Sequence, residues 1–268
     1  ADADAGEPAE QRFGGPMFYT SGTTGNPKGV RGSLTAMPDG TGPEIWQLIV
    51  SGFSSMVETP GVTLLCGPVY HSAQWAFSFM PMMLGSSTVM QHKYDSAQAL
   101  ELIDRHEVTN VHLVPTQMKR LVDLPDDVKN SYDGSSMKTV LHGAAPCPPA
   151  VKRSLIEWWG PKISEYYGST EGSVVTLIDS EQWLAKGGSV GPPMPNMEII
   201  VVDDDGNRVA PTSTARSTSA IRWGWTSSAT MPPRRPTPPI SNQACSPPAT
   251  WATSTRTGTC GSATGRST

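Results

Sequence analysis

MFYTSGTTGNPKGV, residues Met17 to Val30, decides how this chain is read. A short apolar-aromatic run, Met17 to Tyr19, abuts the hydroxyl and glycine positions Thr20, Ser21, Gly22, Thr23 and Thr24. Gly25, the turn pair Asn26-Pro27, Lys28 and Gly29 follow. Glycines let backbone N–H groups approach oxygens closely, hydroxyls add short donors, and one lysine adds a point charge. That combination grips a polyphosphate. A Ser/Gly/Thr surface turn shares the composition, but it requires neither a buried strand in front of it nor a lysine behind Pro27. A Walker loop is excluded, because Lys28 is followed by Gly29 and Val30 and not by a hydroxyl residue. No strand–GxGxxG–helix unit for a dinucleotide is present either.

At every position this segment resembles the phosphate loop of the adenylate-forming superfamily, which includes acyl-CoA synthetases, adenylation domains of peptide synthetases and firefly luciferase. A second stretch, SEYYGSTEG from Ser164 to Gly172, is similar to the same superfamily's aromatic–Gly–x–Thr–Glu motif. The resemblance implies that Tyr167 packs on adenine, Thr170 meets the α-phosphate and Glu171 holds Mg²⁺. Tyr166, Gly168 and Ser169 complete that nucleotide-binding stretch. The chemistry agrees: a flat ring offers a stacking face to a purine, and a carboxylate is a hard oxygen ligand suited to Mg²⁺. HGAAPCPP, His142 to Pro149, looks like the family's turn along the adenine, carried over to Gly143, Ala144 and Ala145, although an ordinary β-to-α loop reads the same way. His71 in PVYHSA matches a position where family members place a His or an aromatic residue beside the carboxylate being activated; a lone loop histidine is more often only polar. By the same resemblance Thr20 joins Glu171 as a Mg²⁺ contact, and Ser21 to Gly25 with Lys28 hold the β- and γ-phosphates. Lys28, His71 and Glu171 are the residues expected to serve catalysis.

The implied reaction is activation of a carboxylic acid. The carboxylate attacks the α-phosphorus of ATP, pyrophosphate leaves, an acyl-adenylate forms, and a thiol, usually that of coenzyme A, takes the acyl group. ATP, Mg²⁺ and coenzyme A are thus the expected cofactors and co-substrates, with a small-molecule acid as partner and no nucleic acid. Trp75, Phe77, Phe79, Met80, Met82 and Met83 follow His71 and could line a pocket for a fatty chain. Helix packing explains them more simply. Two alternatives stand beside a fatty acyl-CoA synthetase: an adenylation domain of a modular synthetase or a luciferase-like enzyme, and a non-catalytic nucleotide-binding remnant.

Element order predicts an α/β fold, mainly parallel sheet flanked by helices, equivalent to the central part of the large N-terminal domain of an adenylate-forming enzyme. Strands are expected over Met17–Thr20, Thr63–Cys66, Ser87–Met90, Asn110–Val114, Lys138–Leu141, Lys162–Tyr166 and Met197–Asp203. Helices are expected over Glu44–Val57, Ser72–Leu84, Ser96–His106, Pro115–Leu124 and Pro149–Trp159, with Asp95 or Ser96 capping the third and Pro149 in the first turn of the last. Residues 1–16 are expected to be disordered, 17–196 to form the partial adenylation core, 197–211 to begin an antiparallel subdomain, and 212–268 to form a low-complexity tail. Cys66, Cys147, Cys245 and Cys260 show no zinc spacing. Without a disulfide framework or a signal peptide, a reducing cytoplasmic setting is the default. The apolar stretch Ala73 to Leu84 is too short to span a bilayer, which leaves only peripheral contact with a membrane.

From Thr212 onward the chain changes character. It contains no Asp, Glu or Lys, and its six arginines give +6, against −10 for the 24 acidic and 14 basic side chains before it. The basic residues are scattered, with only Arg234 and Arg235 adjacent, which does not fit a nucleic-acid arm. Ser, Thr, Pro, Ala, Gly and Arg are what a GC-rich gene yields out of frame. With plausible codons regrouped one base earlier, residues 215–224 become GEIYVRNPMG and residues 249–262 become GDVGYLDEDGYLWI. Both strings resemble segments the family carries at these places, in which the Asp of the second binds ribose. The reading predicts a single-base deletion near the Thr214 codon and poor catalysis by the chain as written. The resemblance covers about Met17 to Ala210, the middle of a larger enzyme.

Overall fold

Short runs such as Val62–Leu65 (VTLL) and Asn110–Leu113 (NVHL) form strands buried on both faces, including the polar side chains Thr63, Asn110 and His112. In the computed structural model, residues 16–20, 28–31, 50–53, 55–170, 173–195, 197–202, 208, 218–223, 253–255 and 259–261 are described. Their elements run, in chain order, β1 (Met17–Thr20), β2 (Lys28–Arg31), β3 (Val62–Leu65), α1 (Ser72–Met82), β4 (Ser87–Met90), α2 (Ser96–Arg105) and β5 (Asn110–Leu113). Then come α3 (Pro115–Val122), α4 (Asp126–Asn130), β6 (Thr139–His142), α5 (Pro149–Trp159), β7 (Ile163–Ser169), β8 (Ser173–Ile178) and α6 (Ser180–Ala185). The last are β9 (Met197–Val202), β10 (Thr218–Trp223), β11 (Thr253–Thr255) and β12 (Thr259–Gly261).

The main sheet has six strands in the order β4-β3-β5-β6-β7-β8. All pairs are parallel except β7–β8, which forms an antiparallel hairpin with a register shift between Tyr167 and Gly168. One face carries Leu64, Val111, Leu113, Val140 and Ile163 against α2, α3, α5 and Trp183 of α6. The other packs Leu141, Tyr166 and Val174 against Phe77 of α1 and against Met56 and Val57. The expected α/β class therefore holds, with helices over both faces.

Caps fix the helix starts. Asp95 accepts from the Gln98 N–H at 2.8 Å and Asp179 from the Gln182 N–H at 2.8 Å, satisfying amides that a helix leaves unpaired at its first turn. Pro149 occupies the first turn of α5, which ends at Gly160 with φ +82, a conformation glycine adopts without a Cβ clash.

Two expectations need correction. Met17–Thr20 does not join the parallel sheet; it pairs antiparallel with Lys28–Arg31 as a separate hairpin, whose neck is the Thr20↔Lys28 pair. The strand is not buried either, since Tyr19 is 71 % exposed. Only one face of the hairpin is covered, with the Phe18 ring meeting Trp75 at 6.0 Å. β8, α4 and α6 were not expected from the sequence. β9 and β10 form a separate antiparallel pair, from Met197↔Trp223 to Val202↔Thr218. Of the expected Glu44–Val57 helix, residues 50–53 are helical, and 44–49 lie outside the described residues.

Candidate active site

Because β3, β5, β6 and β7 are parallel, their C-terminal ends open on one edge of the sheet. The strand order changes direction at β3, with β4 on one side and β5 on the other. In open α/β sheets ligands bind at such a switch point, outside the carboxyl ends of the strands. The segment leaving β3 carries His71, the turn after β6 carries Gly143, Ala144 and Ala145, and β7 ends in Tyr167, Gly168 and Ser169, with Thr170 in the turn that follows. Parallel topology thus brings together residues that lie far apart in sequence.

His71 is exposed and precedes α1, with its ring 4.8 Å from that of Tyr70. Its carbonyl accepts from the Trp75 N–H at 3.0 Å, so the side chain is placed at the helix start without serving as a cap. The next residue makes the direct link across the edge: Ser72 Oγ lies 3.2 Å from Thr170 Oγ1. Both hydroxyls can donate to phosphate oxygens. Ser21, Gly22, Thr23, Thr24, Gly25 and Glu171 lie outside the described residues, as do the side chains of Thr20 and Lys28.

The turn after β6 is tightly constrained. Ala144 has φ +68, an uncommon conformation for a residue with a Cβ. Gly143 approaches the Tyr166 ring so closely that an added Cβ would stand 2.6 Å from Cζ. Tyr166 itself points into the core. Its hydroxyl meets His112 Nε2 at 2.9 Å, and Gln74 Nε2 meets His112 Nδ1 at 2.9 Å. The amide nitrogen of Gln74 can only donate, so Nδ1 accepts and Nε2–H is left to donate to the Tyr166 oxygen. Burial pushes the His112 imidazole down to about 4 and holds the Tyr166 phenol well above its ordinary value. Phe77 stacks on His112 with ring centroids 5.2 Å apart. Of the two tyrosines expected to hold the nucleotide, Tyr166 braces Gly143 from behind, while Tyr167 follows on the opposite face of the strand, where alternation places it.

A buried ionic group was not expected from the sequence. Lys152 in the first turn of α5 donates to Glu165 Oε2 at 2.7 Å, and its ammonium lies 4.7 Å from the centre of the Trp183 ring. Burial lowers the Lys152 pKa and raises that of Glu165, while each charge opposes the other's shift. His142 is also buried and held well below the ordinary imidazole range, first by burial and then by the charges of Lys152 and His112. A sequence signal existed: Lys152 lies on the same helical stripe as Leu155, Ile156 and Trp159, an apolar face where a lone cation needs a partner.

The apolar residues after His71 divide by helix face. Phe77 and Met80 are buried in the core, whereas Phe79, Met82 and Met83 are exposed and Trp75 stacks on Phe79 at 5.7 Å. Packing accounts for the first pair; the second group is an outward apolar surface. Cys66 is buried and Cys147 half-buried, both as free thiols, with burial pushing them up to about 12 and about 11. Among the described residues no helix is long and apolar enough to cross a membrane.

Residues 16–215 match the family described as AMP-binding enzyme. A medium/long-chain-fatty-acid–CoA ligase of Mycobacterium tuberculosis is 30% identical over 211 residues, 75% of this chain and 34% of the relative. A 2-succinylbenzoate–CoA ligase of Bacillus pumilus is 28% identical over 195 residues, 72% of this chain and 37% of the relative. Among solved structures, an O-succinylbenzoate coenzyme A synthetase of Bacillus subtilis in complex with ATP and magnesium superposes with a TM-score of 0.62 at 25% identity, covering 77% of this chain and 40% of that one. An amide bond synthetase of Marinactinospora thermotolerans superposes with a TM-score of 0.62 at 27% identity, covering 72% of this chain and 37% of that one. The chain spans about a third of the length of the curated relatives it matches.

Proposed function

The chain belongs to the AMP-binding enzyme family, and from that premise we propose that it carries the nucleotide- and acid-binding part of an acid–CoA ligase acting on a fatty acid. One observation carries the reading. The ends of β3, β6 and β7 bring His71, the Gly143–Ala145 turn and the Tyr167–Thr170 segment to a single edge, and the 3.2 Å contact between Ser72 and Thr170 joins the first of these to the last.

In this reading the purine lies between the Gly143–Ala145 turn and the Tyr167 ring, where aromatic stacking is tolerant and inexpensive. The amides and hydroxyls of Thr20 to Gly25, with the Lys28 ammonium, hold the β- and γ-phosphates. Thr170 donates to an α-phosphate oxygen. His71 orients the acid's carboxylate toward the α-phosphorus, and pyrophosphate departs. Thr20 and Glu171 would hold Mg²⁺, which would supply positive charge to the triphosphate oxygens. Preorganised donors and the alignment of two bound reactants supply the acceleration. The thiol of coenzyme A then loses its proton and attacks the carbonyl of the acyl-adenylate, the bond to the phosphate breaks, and AMP leaves as the thioester forms. The outward Phe79 and Met82 side chains of α1 support an apolar acid, and the free thiols Cys66 and Cys147 suit a reducing cytoplasm.

Acid-dependent exchange of labelled pyrophosphate into ATP tests this directly, run on the protein with fatty, aryl and amino acids in parallel. Exchange that requires a fatty acid is expected. Exchange driven only by an aryl or amino acid would replace the substrate assignment, and ATP binding without exchange under any acid would favour a nucleotide-binding remnant.

A further inference from the structure

The Lys152–Glu165 pair takes no part in the chemistry above, yet it lies directly beneath the turn assigned to the purine. His142 ends β6 and faces Glu165 across the ladder, with Nε2 3.6 Å from Glu165 Oε2. Both His142 ring nitrogens are buried without a hydrogen-bond partner. The chain then makes the Gly143–Pro148 turn and enters α5, where Lys152 is 0 % exposed and bonded to the same Oε2. Glu165 therefore faces both ends of the turn: the His142 end through the strand ladder, and the Lys152 end through an ion pair. Glu165 and Tyr167 project from the same face of β7, two residues apart.

A stabilising role alone does not explain this group. Desolvating two charges cancels much of their attraction, and an apolar pair of similar size generally stabilises a core as well or better. What an ion pair with fixed geometry adds is a defined spacing. We infer that Lys152 and Glu165 are positioning residues that set the distance between α5 and β7, and hence between the Gly143–Ala145 turn and Tyr167. They act on the purine end of the nucleotide and leave its phosphate end alone. The inference rests on the nucleotide-binding reading of this edge.

The test compares two ligands on the full chain by calorimetry: ATP with Mg²⁺, and inorganic tripolyphosphate with Mg²⁺. Lys152→Met/Glu165→Met is expected to melt at or above the wild-type temperature. It should bind ATP about tenfold more weakly while tripolyphosphate binding is unchanged. Glu165→Gln, which keeps shape and removes the charge, should shift the same ratio, and it decides the matter if the double variant does not fold. Variants that bind ATP as the wild type does, or that weaken toward both ligands together, overturn the inference while leaving the nucleotide site in place. A wild-type chain that binds tripolyphosphate no less tightly than ATP would remove the purine site, and this inference with it.

Discussion

Ser72 Oγ and Thr170 Oγ1 stand 3.2 Å apart although 98 residues separate them, tying the start of α1 to the tip of the β7–β8 hairpin. The contact joins the segment after β3, which carries His71, to the end of β7. A hydroxyl bonded to a neighbouring hydroxyl is oriented before any ligand arrives, which lowers the reorganisation needed when charge develops on a phosphate oxygen.

Replacing Thr170 by alanine removes the donor itself. Acid-dependent pyrophosphate exchange should fall by roughly 10²- to 10³-fold, as for loss of one preorganised donor. Ser72→Ala removes only the orienting partner and should cost about tenfold or less. Equal losses in the two variants would contradict the direct role given to Thr170.

His71 is expected to act on the acid and not on the nucleotide. His71→Ala should raise KM for the acid by about tenfold, the scale of one lost hydrogen bond to a charged group, and leave KM for ATP near its original value. A change in the ATP constant alone would move His71 out of the acid site.

Gly143 has no room for a side chain. A Cβ would stand 2.6 to 2.9 Å from three atoms of the Tyr166 ring, which is fixed by its bond to His112. Gly143→Ala should therefore destabilise the chain by about 1–3 kcal/mol, the usual cost of overpacking, read as a lowered denaturation midpoint. An unchanged midpoint would mean that the turn and ring are less closely engaged.

Much of this arrangement was legible because local signals agreed with the fold. Met17–Thr20, Ser87–Met90 and Pro149–Trp159 form with the bounds expected from the sequence. Proline, the preceding strand and the apolar stripe all point the same way in the last. The misses have physical causes. α4 is five residues long and has no buried residue, so no apolar period announces it. β8 follows the Tyr166–Glu171 motif directly, and its antiparallel return depends on pairing with β7, which no local pattern encodes. The site motifs were visible as strings, but the Gln74–His112–Tyr166 chain was not, since it joins α1, β5 and β7 through side chains distant in sequence.

His112 also makes stability depend on pH. Its folded pKa, lowered to about 4 by burial, lies below the ordinary value of 6.5. Between those values the unfolded chain binds the proton and the folded chain does not. Stability is thus retained above pH 6.5 and lost as pH falls toward 4, by up to about 3 kcal/mol. His142, also lowered by burial, adds loss of the same sign. Chemical denaturation at pH 7 and pH 5 should show the decline, and His112→Gln should reduce it; a variant with the same pH slope as wild type would reject His112 as a source.

The family match ends at residue 215, shortly after Asp205, the last acidic residue of the chain. β10 still pairs with β9 through six residue pairs, from Thr218↔Val202 to Trp223↔Met197. Backbone pairing needs only a β-compatible sequence, and Thr218–Trp223, TSAIRW, supplies one whatever its frame. The gene read one base earlier from the Thr214 codon should stay open and encode GEIYVRNPMG followed by GDVGYLDEDGYLWI. A chain made in that frame should melt higher than the chain as written and show stronger acid-dependent exchange, because it regains the acidic side chains that the tail lacks. Stop codons in the earlier frame, or other residues in place of those two strings, would end the proposal.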